Sequence, residues 1–497
     1  MITEQIRKIT ANTSCLVGEG YLIVRAQIRK EFGLRLNNGK IESVTTGNEN
    51  GMGVQAFTTK GACGFASANK ISDKTGKELV EKAFSMARKN ESIGCELNTN
   101  IFNAEIVTEN IERQSKQNFF EISPGKIQEM VLKIHNRLIR TEEISDYVSW
   151  QTNFRMVEDF WCIGRKDTSL VSFFVPRAVI VHQGTIKVKE KAQSMHVHRN
   201  GTDIGVLFLE EKDRQLEQRT IQKAKFIHEV CRAEGVKAGN YPLIIDYGLA
   251  KGLAHEAFGH AVESDLIEES VLGEKGKLRR GLQIAAQGVD IVDGSIEGDW
   301  AYQPYSANGL KRQNVDIVKN GILENGLGDI FSGEKTGTGV SGAGRCDYFA
   351  SVPLPRMTNI RLKVEKVLPL PESTNLMGEI RQLRNTLIDN DLLAQDFHLL
   401  LVGYRGGQVN PKTGDFVFQC DGMVNLADPN LKIFQPSIFS GKILSALKVV
   451  QVGLGSEHFD AIGTCGKAGQ MVPSSGGSCR YIMLGRDENV RLGGDGK

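Results

Sequence analysis

The chain has 497 residues with 61 Lys and Arg against 59 Asp and Glu, and a formal charge of +2 excludes the strongly basic footprint of a dedicated nucleic-acid binder. With 40% hydrophobic and 24% charged residues it has a globular composition, which excludes disordered and fibrous classes, and the length favours two or more cores over one. No apolar run approaches the roughly 20 residues of a membrane span, the first twenty residues hold no signal-peptide core, and nine scattered cysteines read as reduced thiols. The expected setting is the cytoplasm, with neither membrane nor nucleic acid as partner.

In chain order, residues 21–28 and 32–36 read as strands, followed by Asn38-Gly39 and a further strand-like run at 41–44. The Asn-Gly pair is a hairpin signal, because both central residues of a type I′ turn need positive φ. A second strand pair is expected at 54–57 and 63–66. Leu79, Val80, Ala83, Phe84 and Ala87 then recur at helical spacing behind the caps Ser72, Asp73 and Thr75. Ser123-Pro124 opens a second helix with Ile127, Val131, Ile134 and Leu138 on one stripe. Strand-like runs return at 171–175 and 178–181, and a long polar helix is expected from about 214 to 233.

Gly235, Gly239 and Pro242 form the best boundary in the sequence. The expected architecture is α+β: an N-terminal α/β domain over residues 1–238, an antiparallel sheet with covering helices, and a C-terminal domain over 239–497. The latter reads as a mostly antiparallel β sandwich or barrel, with a short strand at 243–246, a helix over 248–266, an Asn320-Gly321 hairpin and a Gly-rich stretch at 403–414.

That helix carries His255-Glu256-Ala257-Phe258-Gly259-His260. Two histidines with a glutamate after the first are the parts of a zinc hydrolase: neutral imidazoles bind Zn²⁺ and the carboxylate deprotonates the bound water. In H-E-x-x-H the ligands lie about 40° apart on an α-helix, whereas an i, i+5 pair lies about 140° apart. One inserted residue, a π-bulge, restores a common face, and Gly259 is the residue type that tolerates such distortion.

The segment from Gly252 to Asp265 resembles the H-E-x-x-x-H segment of the TldD/PmbA family of metallopeptidases. Further stretches resemble family landmarks in the same order: Asn38-Gly39-Lys40-Ile41-Glu42, Gly64-Phe65-Ala66-Ser67, Pro355-Arg356-Met357-Thr358-Asn359, Gly406-Gly407-Gln408-Val409-Asn410-Pro411 and Thr464-Cys465-Gly466-Lys467-Ala468-Gly469-Gln470. After Gln470 the chain departs from the family's usual run, reading Met471-Val472-Pro473-Ser474-Ser475-Gly476-Gly477. The resemblance implies that Cys465 joins His255 and His260 as the third zinc ligand. It also implies an enclosed site acting on peptides or unfolded segments, and a dimer with itself or with a zinc-less sister subunit. Glu256 is then the general base on the zinc-bound water and the proton donor to the leaving amine.

Two other readings stay open: a non-catalytic maturation or interaction protein of the gyrase-modulator type, and a thiol hydrolase with Cys465 as nucleophile and His458 as base. Arg356 is read either as a holder of a substrate carbonyl or carboxylate or as a structural arginine. His196 and His198 are read as a solvated pair on one strand face, and the other eight cysteines as packing.

Overall fold

Asn38 (φ 44°) and Gly39 (φ 84°) both take positive φ and close a two-residue hairpin in which Asn37 faces Lys40. In the computed structural model, which describes residues 2–113, 119–145 and 148–493, the flanking strands outrun their apolar signals: β1 is Tyr21–Asn37 and β2 is Lys40–Phe57. The runs at 41–44 and 54–57 are thus two ends of one strand. The stretch between them begins exposed and polar, so no apolar pattern marks it. The far end of β2 pairs with β3, Cys63–Ala68.

Four more strands, β4 (Thr108–Ile111), β5 (Val148–Arg165), β6 (Leu170–Val188) and β7 (Lys191–Gly201), complete a seven-stranded sheet of order β3-β2-β1-β5-β6, with β4 and β7 both on β6. β4 pairs in parallel with residues 170–173 and β7 antiparallel with residues 178–188. Pro176 lies between the two, where its missing N–H has no ladder partner to lose on that edge, so the runs at 171–175 and 178–181 are one strand.

Helix α1 is Ile2–Thr13, α2 is Asp73–Ser92 and α3 is Pro124–Ile139. Ser72 Oγ accepts the Thr75 N–H and Ser123 Oγ the Lys126 N–H, as their cap positions require. α2 buries Leu79, Val80 and Ala83 against Val24, Met52 and Val54 of the sheet. α3 buries Ile127, Val131 and Ile134 in a second cluster with Phe32, Phe154 and Ile180. The helix Glu210–Arg232 adds Phe226, Ile227 and Val230 to that cluster, which extends to Ile244 and Leu400.

Beyond residue 239 the chain forms a twelve-stranded sheet and a four-stranded sheet. Most pairs are antiparallel, and the parallel exceptions include Leu399–Val402 on β8, Leu243–Asp246. Asn320 (φ 46°) and Gly321 (φ 80°) close the second expected hairpin, with Lys319 opposite Ile322. The long strand Gln470–Leu484 pairs with Asn359–Val364, Val450–His458, Gly463–Lys467 and β8. The fold is therefore α+β, an antiparallel N-terminal sheet with helices followed by a larger sheet assembly. None of the nine cysteines is disulfide-bonded, and Cys15 is exposed rather than packed. Among the described residues no helix is long and apolar enough to cross a membrane.

The long strand passes its neighbours at backbone contact. A Cβ at Gly477 would stand 1.8 Å from the His458 carbonyl oxygen. Gly477→Ala should therefore lower the urea unfolding midpoint by the equivalent of about 1–3 kcal/mol or more. Gly125→Ala, in the first turn of α3 with no atom within 4 Å of the new methyl, should leave that midpoint unchanged or raise it.

Candidate metal centre

Asp246 ends β8 and caps the helix that follows: its Oδ1 accepts the Leu249 N–H at 2.9 Å and its Oδ2 the Gly403 N–H at 2.6 Å. The helix is α-helical over Tyr247–Gly252, π-helical over Leu253–Gly259 and ends in a 3₁₀ turn, His260–Val262. It stops short of the expected residue 266, because Glu263 turns to extended backbone (φ −67°, ψ 128°). The His260 N–H donates to the His255 carbonyl, an i→i+5 bond that brings the two histidines one above the other. Their ring centroids are 5.1 Å apart and their planes stand at 88°.

Gly259 has ordinary helical φ of −57°, so backbone distortion does not demand a glycine there. Space does: a Cβ would lie 1.9 Å from Met357 Sδ, and Met357 is fully buried against the helix. Between Lys251 and Val262 only Glu256 and His260 keep appreciable exposure.

Cys465 arrives on the strand Gly463–Lys467, opposite Val472 of the long strand. Its Sγ is 3.6 Å from His260 Nε2, and Glu256 Oε2 is 3.9 Å from the same nitrogen. His255, His260 and Cys465 each bring a donor atom within 4.8 Å of the others, the one such cluster of His, Cys, Asp or Glu among the described residues. His255 Nδ1 is buried with no hydrogen-bond partner. Two imidazoles and a thiol around a bare buried nitrogen are a donor set suited to Zn²⁺.

The surroundings include residues that sequence reasoning did not single out. Glu263, fully buried, accepts His260 Nδ1–H at 3.0 Å and Lys467 Nζ–H at 2.8 Å. Lys467 also donates to Asp265 at 2.6 Å and to the Pro355 carbonyl. Position i+3 from His260 was a signal for Glu263, since a carboxylate there reaches the imidazole nitrogen facing away from a metal. Arg356, buried, donates from Nη2 to the Cys465 carbonyl, which gives it a structural role in fixing the strand. Arg345 binds the Met357 and Pro473 carbonyls and burial lowers its pKa to about 9.

Burial holds His255 well below the ordinary imidazole pKa, reinforced by Lys251 and His260, so its ring is neutral. Burial opposes charge on His260 as well, but Glu263 and Cys465 outweigh it and raise that pKa. Glu256 is raised by burial against the pull of His260 and Lys251. His458 contacts Ser456 Oγ at 3.2 Å and lies tilted against Tyr247, 5.1 Å between centroids, while the imidazole nitrogen beside Cys465 is that of His260. His196 and His198 are half-buried and line a cavity rather than standing in solvent.

Residues 238–468 match the model of the PmbA/TldA metallopeptidase C-terminal domain, and residues 23–87 that of PmbA/TldA metallopeptidase domain 1. A metalloprotease of Methanothermobacter thermautotrophicus is 27% identical over 482 residues, 95% of each chain. A zinc metalloprotease TldD homolog of Saccharolobus solfataricus is 26% identical over 246 residues, 48% of this chain and 49% of the relative. In fold the chain is similar to TldE from Thermococcus kodakarensis (14% identity, TM-score 0.71, 99% of this chain and 100% of that one). It is equally similar to a candidate modulator of a DNA gyrase from Thermotoga maritima, with the same identity, TM-score and coverage. The two family models together span more than half of the sequence, and with a relative matched nearly end to end they make this protein a member of the TldD/PmbA family of metallopeptidases.

Proposed function

We propose that the protein is a zinc-dependent peptidase acting on peptides or unfolded segments, with zinc held by His255, His260 and Cys465 and with Glu256 as general base. The observation that supports this most is the convergence of those three side chains, with a carboxylate 3.9 Å from His260 Nε2. When bound, zinc supplies a Lewis acid that acidifies water and polarises a peptide carbonyl. Glu256 takes a proton from the attacking water and returns it to the leaving amine, a transfer favoured by its raised pKa. Glu263 accepts the Nδ1 proton of His260 and so aims Nε2 at Cys465, ready to bind once it has given up its proton. Lys467 balances the buried Glu263 charge. Through the Cys465 carbonyl, Arg356 holds the strand that carries the sulfur.

The family and the metalloprotease names of the relatives support the reaction class. A buried site, in which only Glu256 and His260 keep appreciable exposure between Lys251 and Val262, supports an extended and unfolded substrate. The likeness to TldE motivates a dimer, with a second copy or with a zinc-less sister chain. The unpaired cysteines fit the reducing cytoplasm.

Four outcomes test this reading. Glu256→Gln should retain stoichiometric zinc by elemental analysis and lose about 10²- to 10⁴-fold in hydrolysis, whereas Cys465→Ala should lose the zinc itself. Retention of zinc in Cys465→Ala with activity abolished would favour a thiol nucleophile. Glu263→Gln should weaken zinc binding by about 10- to 100-fold in a chelator competition, with the fold intact by circular dichroism. A rigid native protein should resist cleavage while its denatured form is cut, and equal rates for the two would remove the unfolded-substrate assignment.

A further inference from the structure

A cavity of about 330 Å³ opens beside the first turns of the helix that carries His255 and Glu256, lined there by Tyr247, Gly248 and Lys251. That volume is within the roughly 300–1,000 Å³ of small-ligand sites. The charges lining it do not cancel. Lys223 pairs with Asp421 at 2.6 Å and Arg480 with Glu379 at 2.6 Å. Asp246 spends its two oxygens on the Leu249 and Gly403 amides. His196 and His198 are held neutral, their pKa values lowered by burial, that of His198 to about 3.

Two cations are left over. Lys251 is only 5% exposed, its one hydrogen bond runs from Nζ to Ser474 Oγ at 3.2 Å, and among the described residues no carboxylate pairs with it. Burial lowers the Lys251 pKa against the pull of Glu256, Cys465 and Asp299, and an anion in the cavity would favour its ammonium form. Arg219, exposed on the helix Glu210–Arg232, reaches the same cavity and is likewise without a carboxylate partner among the described residues. The cavity lies along the turn of the helix that precedes His255 and Glu256, with Lys251 in its lining. Tyr404, in its lining, packs so closely on Gly252 of that helix that a Cβ there would lie 2.7 Å from the ring.

We propose that this cavity is a subsite that receives a carboxylate of the peptide substrate, held by Lys251 from within and by Arg219 at the rim. This rests on the peptidase reading and adds a preference to it: an acidic group near the bond to be cut. The carboxylate is that of an Asp or Glu side chain or of the peptide's own C-terminus, two sources with the same recognition chemistry.

The test uses zinc-loaded protein and an unstructured alanine octapeptide made in matched pairs: C-terminal acid against amide, and Glu against Gln at each internal position in turn. kcat/KM is measured with the wild type, and Kd for the same pairs with Glu256→Gln, in which turnover is blocked. In at least one pair the charged member should be favoured by about tenfold or more, and the ratio should fall to about twofold or less in Arg219→Gln and in Lys251→Met. A preference confined to the acid and amide pair assigns the C-terminus, and one confined to a Glu and Gln position assigns a side chain. Arg219 is exposed, so its variant tests the proposal even if Lys251→Met fails to fold. Charged and neutral members within about twofold of each other in every pair, or a preference unchanged in Arg219→Gln, would overturn the subsite. Absence of hydrolysis in all pairs would instead sink the peptidase reading, with the Kd ratios still deciding the cavity.

Discussion

The pairing of one strand, Gln470–Leu484, with both halves of the candidate centre is the constraint from which the rest follows. Its C-terminal end pairs with β8, Tyr481 facing Asp246, and so fixes where the helix begins. Its N-terminal end pairs with the strand of Cys465, Cys465 facing Val472. The helix runs back along this strand, with Lys251 touching Ser474 on the way, until His260 meets the sulfur. Because side chains alternate across a strand, a one-residue slip of the Cys465 pairing would turn the thiol to the other face. The backbone contacts at Gly476 and Gly477, each closer than a Cβ would permit, lock the strand between its neighbours.

Around this scaffold the site is built from buried charge, a demanding material. The His260 imidazole hydrogen-bonds the buried Glu263, Glu263 pairs with Lys467, and Lys467 pairs with Asp265 at the exposed end. Breaking the Glu263–Lys467 link strands a carboxylate away from water, which costs more than the pair contributes when intact. Arg345 solves the same problem without an acid, by donating to main-chain carbonyls around the centre, and Arg356 donates from Nη2 to the Cys465 carbonyl. The result is a site whose donors are positioned by groups that themselves have little freedom.

Much of the fold was legible where local chemistry leaves no choice. The two Asn-Gly turns, the Ser72 and Ser123 caps and the Leu243–Asp246 strand all fall where residue type dictates. Strand length was not legible, because β2 opens on a polar, exposed stretch and β6 continues through Pro176. Helix α1 was missed although Ile2, Ile6 and Ile9 are spaced for it, because its surroundings carry no clear cap. In the candidate centre, the i, i+5 spacing pointed to the π-turn, but the reason for Gly259 was hidden, since Met357 lies 98 positions away in the chain. Arg356 and Lys467 stood in recognisable segments, yet only their three-dimensional neighbours give them roles.

The distance in sequence between His260 and Cys465 has a consequence for the order in which the molecule is made. A ribosome delivers the helix with His255, Glu256 and His260 some two hundred residues before the cysteine, and the strand that supports them emerges later still. A nascent chain that has reached residue 460 holds Glu256 and two imidazoles but neither the Cys465 sulfur nor the strand that aligns them. The donor set therefore closes only on a chain translated past residue 484, the end of the strand that aligns it.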